Sequence, residues 1–254
     1  MTPLIRRWVR LVPVLAAVGL VLTMLNPVHD RRSVVMVVGL GVLFWVAGLL
    51  LLWRVRWGRV LWLVLAVVLV APFLLPERSI NRNALRVDYV RRMSALERVR
   101  YVWGGESGRG IDCSGLPRRA YREAMLWQGI RTGNGRLTRG YLEQIWYDTS
   151  AKAMGEEYRG FTKALGIEGV IKSMDVSPLQ PGDLAITTDG LHVVVYVGYG
   201  RWIQADPGVG SVVTLLGEKD DNAWFEMPVK MVRWSALDGG GTPTGSGRAL
   251  GEFP

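Results

Sequence analysis

The residues best suited to nucleophilic chemistry in this sequence are its single cysteine and one of its two histidines. Cys113 is the only cysteine, and His192 is the only histidine after residue 76. A thiolate attacks carbonyl carbon, and thiol chemistry at neutral pH needs an acid–base partner, most often an imidazole. So few cysteines and histidines exclude an intrachain disulfide, a multi-cysteine zinc site and an iron–sulfur cluster. The pair is therefore a candidate nucleophile and base for acyl chemistry that requires no metal or cofactor.

Cys113 lies between a glycine-rich segment and a predicted helix. Apolar residues recur at helical spacing from Leu116 to Trp127, directly after the run Asp112-Cys113-Ser114-Gly115. At a helix N-terminus, free backbone N–H groups and the helix dipole stabilise a thiolate, and Asp112 can cap the helix. The alternative is a cysteine that is simply buried as a small apolar side chain.

His192 begins a predicted strand, where it is surrounded by apolar residues such as Leu191 and Val193. A polar imidazole in such a strand requires a reason, and service as an acid–base partner for Cys113 is one. The alternative is a histidine at the edge of a strand that bonds only to backbone.

The segments that must position this pair are helices followed by strands. The predicted helices are 83–100, 116–127 and most of 141–165, with a loop at 129–140. The predicted strands are 183–188, 192–197, 201–206, 212–216 and 229–237. Residues 239–254 are rich in glycine and predict a flexible tail. Helices first and an antiparallel sheet afterwards indicate an α+β domain.

The segment 1–76 has the composition of a membrane anchor. Three uncharged stretches follow one another, at 11–28, 33–53 and 60–76. A helix of about 20 residues crosses the hydrocarbon core of a bilayer, so the pattern predicts three transmembrane helices. Buried core helices are the alternative for each stretch, and a cleaved signal peptide is a further alternative for the first.

The charges indicate the orientation of this anchor. Residues 1–76 contain eight arginines and one aspartate, whereas the remainder contains 23 basic and 21 acidic residues. A nearly neutral domain does not favour nucleic-acid binding. Three arginines precede the first span and three follow the second, against two in the intervening loop. The excess predicts a multi-pass membrane protein with a cytoplasmic N-terminus and a domain after residue 76 outside the cytoplasm.

Four ordered motifs in this domain resemble those of a known family. They are Tyr101-Val102-Trp103-Gly104-Gly105, Asp112-Cys113-Ser114-Gly115-Leu116, Pro181-Gly182-Asp183-Leu184 and His192 to Gly198. They resemble the NlpC-type cysteine peptidases, papain-like hydrolases of bacterial cell-wall peptides, over about residues 83–216. The resemblance implies a papain-like domain at 77–238 that hydrolyses amide bonds in peptidoglycan stem peptides through an acyl-enzyme. The order of Cys before His resembles the unpermuted branch of the family.

The resemblance also assigns roles to individual residues. Cys113 is expected to be the nucleophile, His192 the base, and Gln204 the polar residue that orients the imidazole. A two-residue turn at 199–200 pairs Asp206 with Val193, which favours Asp206 for the third role. Because a bulge can shift this register, we prefer Gln204 and keep Asp206 as the alternative.

Three further residues are expected near the substrate. The Tyr101 hydroxyl is expected to stabilise the oxyanion together with the backbone N–H of Cys113, or else to be a core aromatic. In family members that bind a free stem-peptide amine, the positions of Tyr101, Asp112 and Ser114 line the subsite for that amine. Asp112 as a helix cap is the alternative.

The chain departs from the family in the long interval between Cys113 and His192, which exceeds the usual separation of the two residues. We therefore expect an insertion at about 129–170, which covers the cleft and narrows substrate choice. Two other functions remain open from the sequence. One is a catalytically inactive, membrane-tethered module that binds wall peptide or a partner protein. The other is an acyltransferase on a lipid-like substrate, which fits the membrane context but not the motif order.

Overall fold

The computed structural model describes residues 3–28, 31–147 and 149–239, with side chains from residue 11 onward. The predicted tail therefore lies outside the described residues from residue 240. An N-terminal group of apolar helices precedes an α+β domain, in agreement with the fold class predicted from the sequence.

Three helices form the N-terminal part. They are α1 (Pro3–Leu25), α2 (Arg31–Leu52) and α3 (Arg56–Val70), and a short 3-10 helix at Ala71–Leu74 extends α3. Their apolar side chains are largely exposed, for example Leu50 at 63% and Val67 at 66%. Two helices, Arg31–Leu52 and Arg56–Leu74, have the length and composition to cross a membrane, and Leu11–Leu25 is a shorter apolar helix.

Close contacts join the three helices to one another. The space beside Gly19 on α1 is filled by Leu40 of α2. The ring of Trp62 on α3 packs against Gly48 of α2, and its Nε1 donates to the carbonyl oxygen of Trp45 at 3.0 Å. Small residues thus allow a close approach of apolar helices.

Four helices belong to the second part of the chain. They are α4 (Arg82–Ser94), α5 (Gly115–Thr132), α6 (Gly135–Trp146) and α7 (Ala151–Gly155). Two sequence predictions were wrong here. The first helix ends at Ser94 instead of residue 100. The predicted loop at 129–140 is mostly helical, because Gly133 ends α5 in the left-handed conformation and Asn134 immediately caps α6.

The strands form a two-stranded and a six-stranded antiparallel sheet. The small sheet pairs β1 (Glu106–Ser107) with β2 (Gly110–Ile111). The large sheet has the order β3-β8-β4-β5-β6-β7. Its strands are β3 (Thr162–Val170), β4 (Leu184–Thr187), β5 (Val193–Gly198), β6 (Arg201–Asp206), β7 (Ser211–Leu216) and β8 (Pro228–Trp234).

Strand β3 was not predicted and begins at the end of the segment 141–165, which is otherwise largely helical as predicted. This edge strand pairs only with β8, and its register breaks between Ala164 and Glu168, where Gly166 has a positive φ. Its regular alternation is therefore short, and long-range pairing rather than local propensity makes it a strand. The last predicted strand is also shorter than expected, because Ser235–Leu237 is a 3-10 helix.

The large sheet is covered on both faces. One buried cluster joins the helices to residues such as Val193, Val195 and Ile203. The other lies on the opposite face and includes Val194 and Trp202. Alternate residues of the same strands therefore contribute to different cores, as the period of two requires.

Backbone and side-chain contacts attach the helices of the N-terminal part to the domain. Arg139 of α6 donates to the carbonyl oxygens of Phe73 and Leu75 at 3.2 and 2.9 Å. The backbone N–H of Glu106 donates to Pro27, between α1 and α2, at 2.9 Å. The α1–α2 loop and the end of α3 therefore lie on the domain side, and α6, within the expected insertion, packs on the end of α3.

Candidate active site

Asp112 holds together the segment that carries Cys113. Its Oδ1 accepts hydrogen bonds from the backbone N–H of Gly115 at 2.6 Å and from the Ser114 hydroxyl at 3.0 Å. Its Oδ2 accepts from the backbone N–H of Gly104 at 2.9 Å. A side chain at Gly115 would collide with the carbonyl oxygen of Gly105. The carboxylate thus joins the glycine-rich loop to the first turn of α5. Its hydrogen bond from the N–H of Gly115 is the capping contact that the sequence predicts for Asp112.

Cys113 precedes α5 and is nearly buried, with 6% of its surface exposed. Its Sγ lies 3.7 Å from the carbonyl oxygen of Leu191, the residue before His192. Burial, and to a smaller extent the Asp112 carboxylate, raise the pKa of the thiol to about 11. Backbone hydrogen bonds from Val193 and Ser114 act against this, but burial prevails. The thiolate predicted from the helix N-terminus is therefore not the favoured resting form.

His192 is held from its backbone and from its ring. Its backbone N–H donates to the hydroxyl of Thr187 at 2.9 Å, and its Nε2 lies 2.7 Å from Oε1 of Gln204. The ring stacks on Trp224 with the centroids 3.9 Å apart. Since the Gln204 carbonyl oxygen only accepts, this amide orientation assigns the proton to Nε2 and leaves Nδ1 as an acceptor.

The environment of the His192 ring favours its neutral form. Burial lowers the pKa of the imidazole to about 4. The hydrogen bond to Gln204 and the charges of Asp206 and Asp189 oppose this shift without overcoming it. The two shifts thus favour the neutral thiol at Cys113 and the neutral imidazole at His192.

Both candidates for the third catalytic residue belong to one buried network. Gln204 contacts the His192 ring directly, and its Nε2 donates to Oδ2 of Asp206 and Oδ1 of Asn222, each at 3.2 Å. Asn222 in turn donates to Oδ2 of Asp206 at 2.7 Å. Gln204 thus lies between the imidazole and Asp206. Gln204 contacts the ring directly, as expected, whereas Asp206 is linked to the ring through Gln204.

A bulge in β5 produces this arrangement. Tyr196 pairs with Trp202 and Gly198 with Arg201, which leaves Val197 as an extra residue on β5. When the pairing of Val195 with Ile203 is continued, His192 falls opposite Asp206 and on the same face as Gln204. The simple two-residue turn would instead place His192 on the other face, because a shift by one residue reverses every side chain.

Two members of the network, Asn222 and Trp224, were missed by the sequence analysis. They lie at a short 3-10 helix, Ala223–Phe225, which Asn222 caps by accepting from the backbone N–H of Trp224 at 3.1 Å. Asparagine before a short helix is an ordinary capping signal. Nothing in the local sequence indicates that this loop approaches His192, which lies before β5 and several elements earlier in the chain.

The other predicted site residues occupy the loop side of the site. The pKa of Tyr101 is raised to about 12. Burial is the largest cause, and electrostatic interactions with Cys113, Asp112 and Asp206 act in the same direction. The phenol is thus electrostatically coupled to the Cys113 side. Ser114 is buried and donates its hydroxyl to Asp112, so these two residues satisfy each other inside the chain.

The Pro181 to Leu184 motif has a structural part. Asp183 accepts from Nε and Nη2 of Arg233 at 2.6 and 2.7 Å, and both side chains are buried. This bidentate pair joins the start of β4 to β8. As for metals, the described parts of the chain contain no group of three or more His, Cys, Asp or Glu side chains arranged to hold an ion.

Part of the α+β domain is similar in sequence to known proteins. The model of the NlpC/P60 family matches residues 98–220. Murein DD-endopeptidase MepS/Murein LD-carboxypeptidase of Escherichia coli K12 is 29% identical over 123 residues, which are 47% of this chain and 49% of that protein. The chain thus spans about half the length of this curated relative.

Two solved structures are similar to this chain at lower identity. The peptidoglycan hydrolase RipB of Mycobacterium tuberculosis is 22% identical with a TM-score of 0.35, over 59% of this chain and 65% of that one. The P60 domain of an antigen from M. avium subspecies paratuberculosis is 17% identical with a TM-score of 0.36, over 59% and 96%.

Proposed function

We propose that this chain, whose residues 98–220 match the model of the NlpC/P60 family, is a membrane-anchored cysteine peptidase of the cell wall. It hydrolyses amide bonds in peptidoglycan stem peptides and uses no cofactor. Two contacts carry the proposal. His192 Nε2 lies 2.7 Å from Gln204 Oε1, and Sγ of Cys113, just before α5, lies 3.7 Å from the carbonyl oxygen of Leu191, the residue before His192. The first contact leaves Nδ1 of the ring free to accept the thiol proton.

The reaction begins from the neutral pair. Nδ1 of His192 accepts the proton of Cys113 as Sγ attacks the amide carbonyl carbon, so that a thiolate does not have to persist in the buried site. The oxyanion accepts hydrogen bonds from the backbone N–H of Cys113 and the hydroxyl of Tyr101. His192 then protonates the leaving amine, and water hydrolyses the thioester. Gln204 keeps the ring in the required tautomer and orientation throughout.

Asp112 and Ser114 contribute to the proposed substrate subsite together with Tyr101. The Asp112 carboxylate already accepts three hydrogen bonds within the chain. Its remaining negative charge still favours a cationic stem-peptide amine nearby. In this proposal Asp112 therefore combines the loop-capping function with electrostatic attraction of the substrate.

The anchor crosses the inner membrane three times and places the domain outside the cytoplasm. The arrangement of contacts supports this topology, because the α1–α2 loop and the end of α3 both touch the domain. Arg54 and Arg56 lie between α2 and α3, at the opposite end of these helices. Positive charge at the end remote from the domain is typical of a cytoplasmic loop.

The test uses the full chain in detergent micelles with purified muropeptides, analysed by mass spectrometry. Cys113→Ala and Cys113→Ser are expected to lose cleavage while they retain the thermal unfolding profile of the parent chain. Cleavage products that persist with Cys113→Ala at the parent rate contradict the proposal.

A second candidate is the catalytically inactive binding module, which the burial of Cys113 and its raised pKa favour. A thiol-reactive probe at about pH 6 to 7 separates the two candidates. Labelling of Cys113 that is fast, and is slowed by His192→Ala, supports the peptidase. An inert thiol together with retained binding of muropeptides supports the binding module.

A further inference from the structure

A cavity of about 690 Å³ lies where the N-terminal helices meet the domain. One wall is formed by α1 and α2, and the other by α5, α6 and the loops beside them. The volume is in the range of pockets that hold small molecules. The residues assigned above to the active site do not line this cavity; they are Tyr101, Asp112, Cys113, Ser114, His192, Gln204 and Asp206.

The wall on the anchor side is apolar. Val34, Val37 and Val38 of α2 line it, together with Met24 of α1. The three valines recur at the spacing that places residues on one face of a helix. This face begins in the first turn of a proposed transmembrane helix, so the wall continues directly into the hydrocarbon region.

The wall on the domain side is rich in arginine. Arg119 and Arg122 of α5 line the cavity with Arg31 at the start of α2, and the carboxylates there are Glu106 and Glu123. Both carboxylates are already neutralised by ion pairs. Glu106 Oε1 lies 3.1 Å from Arg118 Nε and 2.6 Å from Arg122 Nη2.

Glu123 is neutralised in the same way. Its two oxygens lie 3.0 Å from Arg119 Nε and 3.1 Å from Arg92 Nη1. The two carboxylates thus share four guanidinium groups, and Arg31 adds a fifth positive charge to the lining of the cavity. The interior therefore carries an excess of positive charge that favours an anion.

Arg31 is the cation with the fewest commitments. Its guanidinium lies over the ring of Trp146, 5.9 Å from the centroid, and within the described residues it pairs with no carboxylate. Trp146, Tyr147 and Tyr158 are aromatic residues on the same rim. Arginine beside tryptophan and tyrosine at the end of an apolar helix is typical of the headgroup region of a membrane.

We propose that this cavity binds the phosphate headgroup of an anionic membrane lipid. The guanidinium groups of Arg31 and Arg119 bind the phosphate oxygens, and an acyl chain lies along Val34, Val37 and Val38. Arginine suits this task because its planar donors match phosphate geometry. The apolar wall selects a lipid over a soluble phosphate. The inference rests on the proposed membrane anchorage but not on peptidase activity.

The test is native mass spectrometry of the full chain in detergent micelles, with dioleoyl phosphatidylglycerol or dioleoyl phosphatidylcholine as the probe. The variant Arg31→Gln/Arg119→Gln is expected to lose at least about tenfold in affinity for the phosphatidylglycerol. Arg32→Gln/Arg131→Gln is the matched control, because these exposed arginines lie on the same two helices but do not line the cavity. The control is expected to bind like the parent chain.

A second pair of variants tests the apolar wall without a change of charge. Val38→Trp fills the cavity and is expected to weaken phosphatidylglycerol binding, whereas Val35→Trp, at a similarly exposed position of α2 outside the cavity, is not. Equal losses in test and control variants overturn the proposal. So does equal affinity for phosphatidylcholine, or displacement of the lipid by millimolar inorganic phosphate.

The fraction of each variant that is recovered with the membranes rather than as soluble protein is measured in parallel. Chains that are membrane-embedded but do not prefer phosphatidylglycerol disprove the lipid site alone. Chains that are recovered as soluble protein disprove the proposed anchorage on which the site rests.

Discussion

The two sides of the candidate active site are built by different means. The helix side is one continuous stretch from Tyr101 to Gly115, in which one carboxylate joins a glycine-rich loop to the start of α5. The sheet side brings together residues from three segments, namely His192, Gln204 with Asp206, and Asn222 with Trp224. Contacts on the helix side are local in sequence, whereas those on the sheet side depend on strand register.

Because of this difference, different kinds of change disturb the geometry of the two sides. On the helix side, backbone N–H groups point at Asp112, so the geometry depends on a few residues close in the chain. On the sheet side, a shift of one residue between β5 and β6 would move His192 to the other face. The position of His192 therefore depends on the pairing of β5 with β6 and on the network behind the imidazole.

The largest effect is expected from removal of the acid–base group on the sheet side. His192→Ala should lower kcat for muropeptide cleavage by at least about a thousandfold, because His192 is the only histidine after residue 76 and the proposed thiol chemistry needs an imidazole base. The chain should remain folded although Trp224 loses its stacking partner, as circular dichroism would check. Retention of a tenth of the parent kcat would show that the helix side acts alone.

The two sides should also lose stability at opposite ends of the pH scale. The raised pKa of Cys113 means that its contribution is complete below pH 9 and is lost as the pH rises towards 11, about 3 kcal/mol in total. The lowered pKa of His192 means that its contribution is complete above about pH 6.5 and is lost as the pH falls towards 4, also about 3 kcal/mol.

Thermal unfolding of the full chain across pH measures both effects. Cys113→Ala should flatten the alkaline loss and leave the acid limb unchanged, and His192→Gln should do the reverse. If either substitution flattens both limbs, the two sides are not independent.

A smaller effect is expected from the residue that orients the imidazole. Gln204→Ala should lower kcat by about ten- to a hundredfold, whereas Asp206→Asn, which acts through Gln204, should cost less than about tenfold. Gln204→Glu places a negative charge beside the ring and should move the acid limb of the kcat/KM profile to higher pH. A larger loss for Asp206→Asn than for Gln204→Ala would assign the third role to Asp206.

The smallest effect is expected from deletion of the bulge residue itself. Removal of Val197 converts the β5–β6 connection into a regular hairpin but retains the pairing of Tyr196 with Trp202. His192 and Gln204 then stay on one face, and kcat should remain within about tenfold of the parent value. Deletion of Val194, on the His192 side of this pairing, is the matched control and should abolish cleavage. Equal outcomes for the two deletions would show that register does not position the imidazole.

Much of the architecture follows from patterns along the chain. Short runs rich in Val, Ile, Trp and Tyr predicted strands β4 to β7 within one or two residues and the end of β8 within three, and the four motifs predicted the family whose model matches residues 98–220. Edge strand β3 was missed because its glycines interrupt the alternation. The helix boundary at 133–134 was missed because two helices meet there without an extended loop. In each case a contact made elsewhere in the fold decided the local structure.

The sequence by itself determined the chemistry that is available: one thiol, one imidazole in the domain, no set of cysteines for a metal, and an apolar N-terminal region of anchor composition. These are properties of residue type and spacing, and folding does not alter them. The tertiary structure alone decided that Gln204 rather than Asp206 touches the ring, that Asn222 and Trp224 join the network, and that burial keeps the thiol and the imidazole neutral. Register, long-range contact and desolvation arise only when distant segments pack together, which is why local patterns did not contain them.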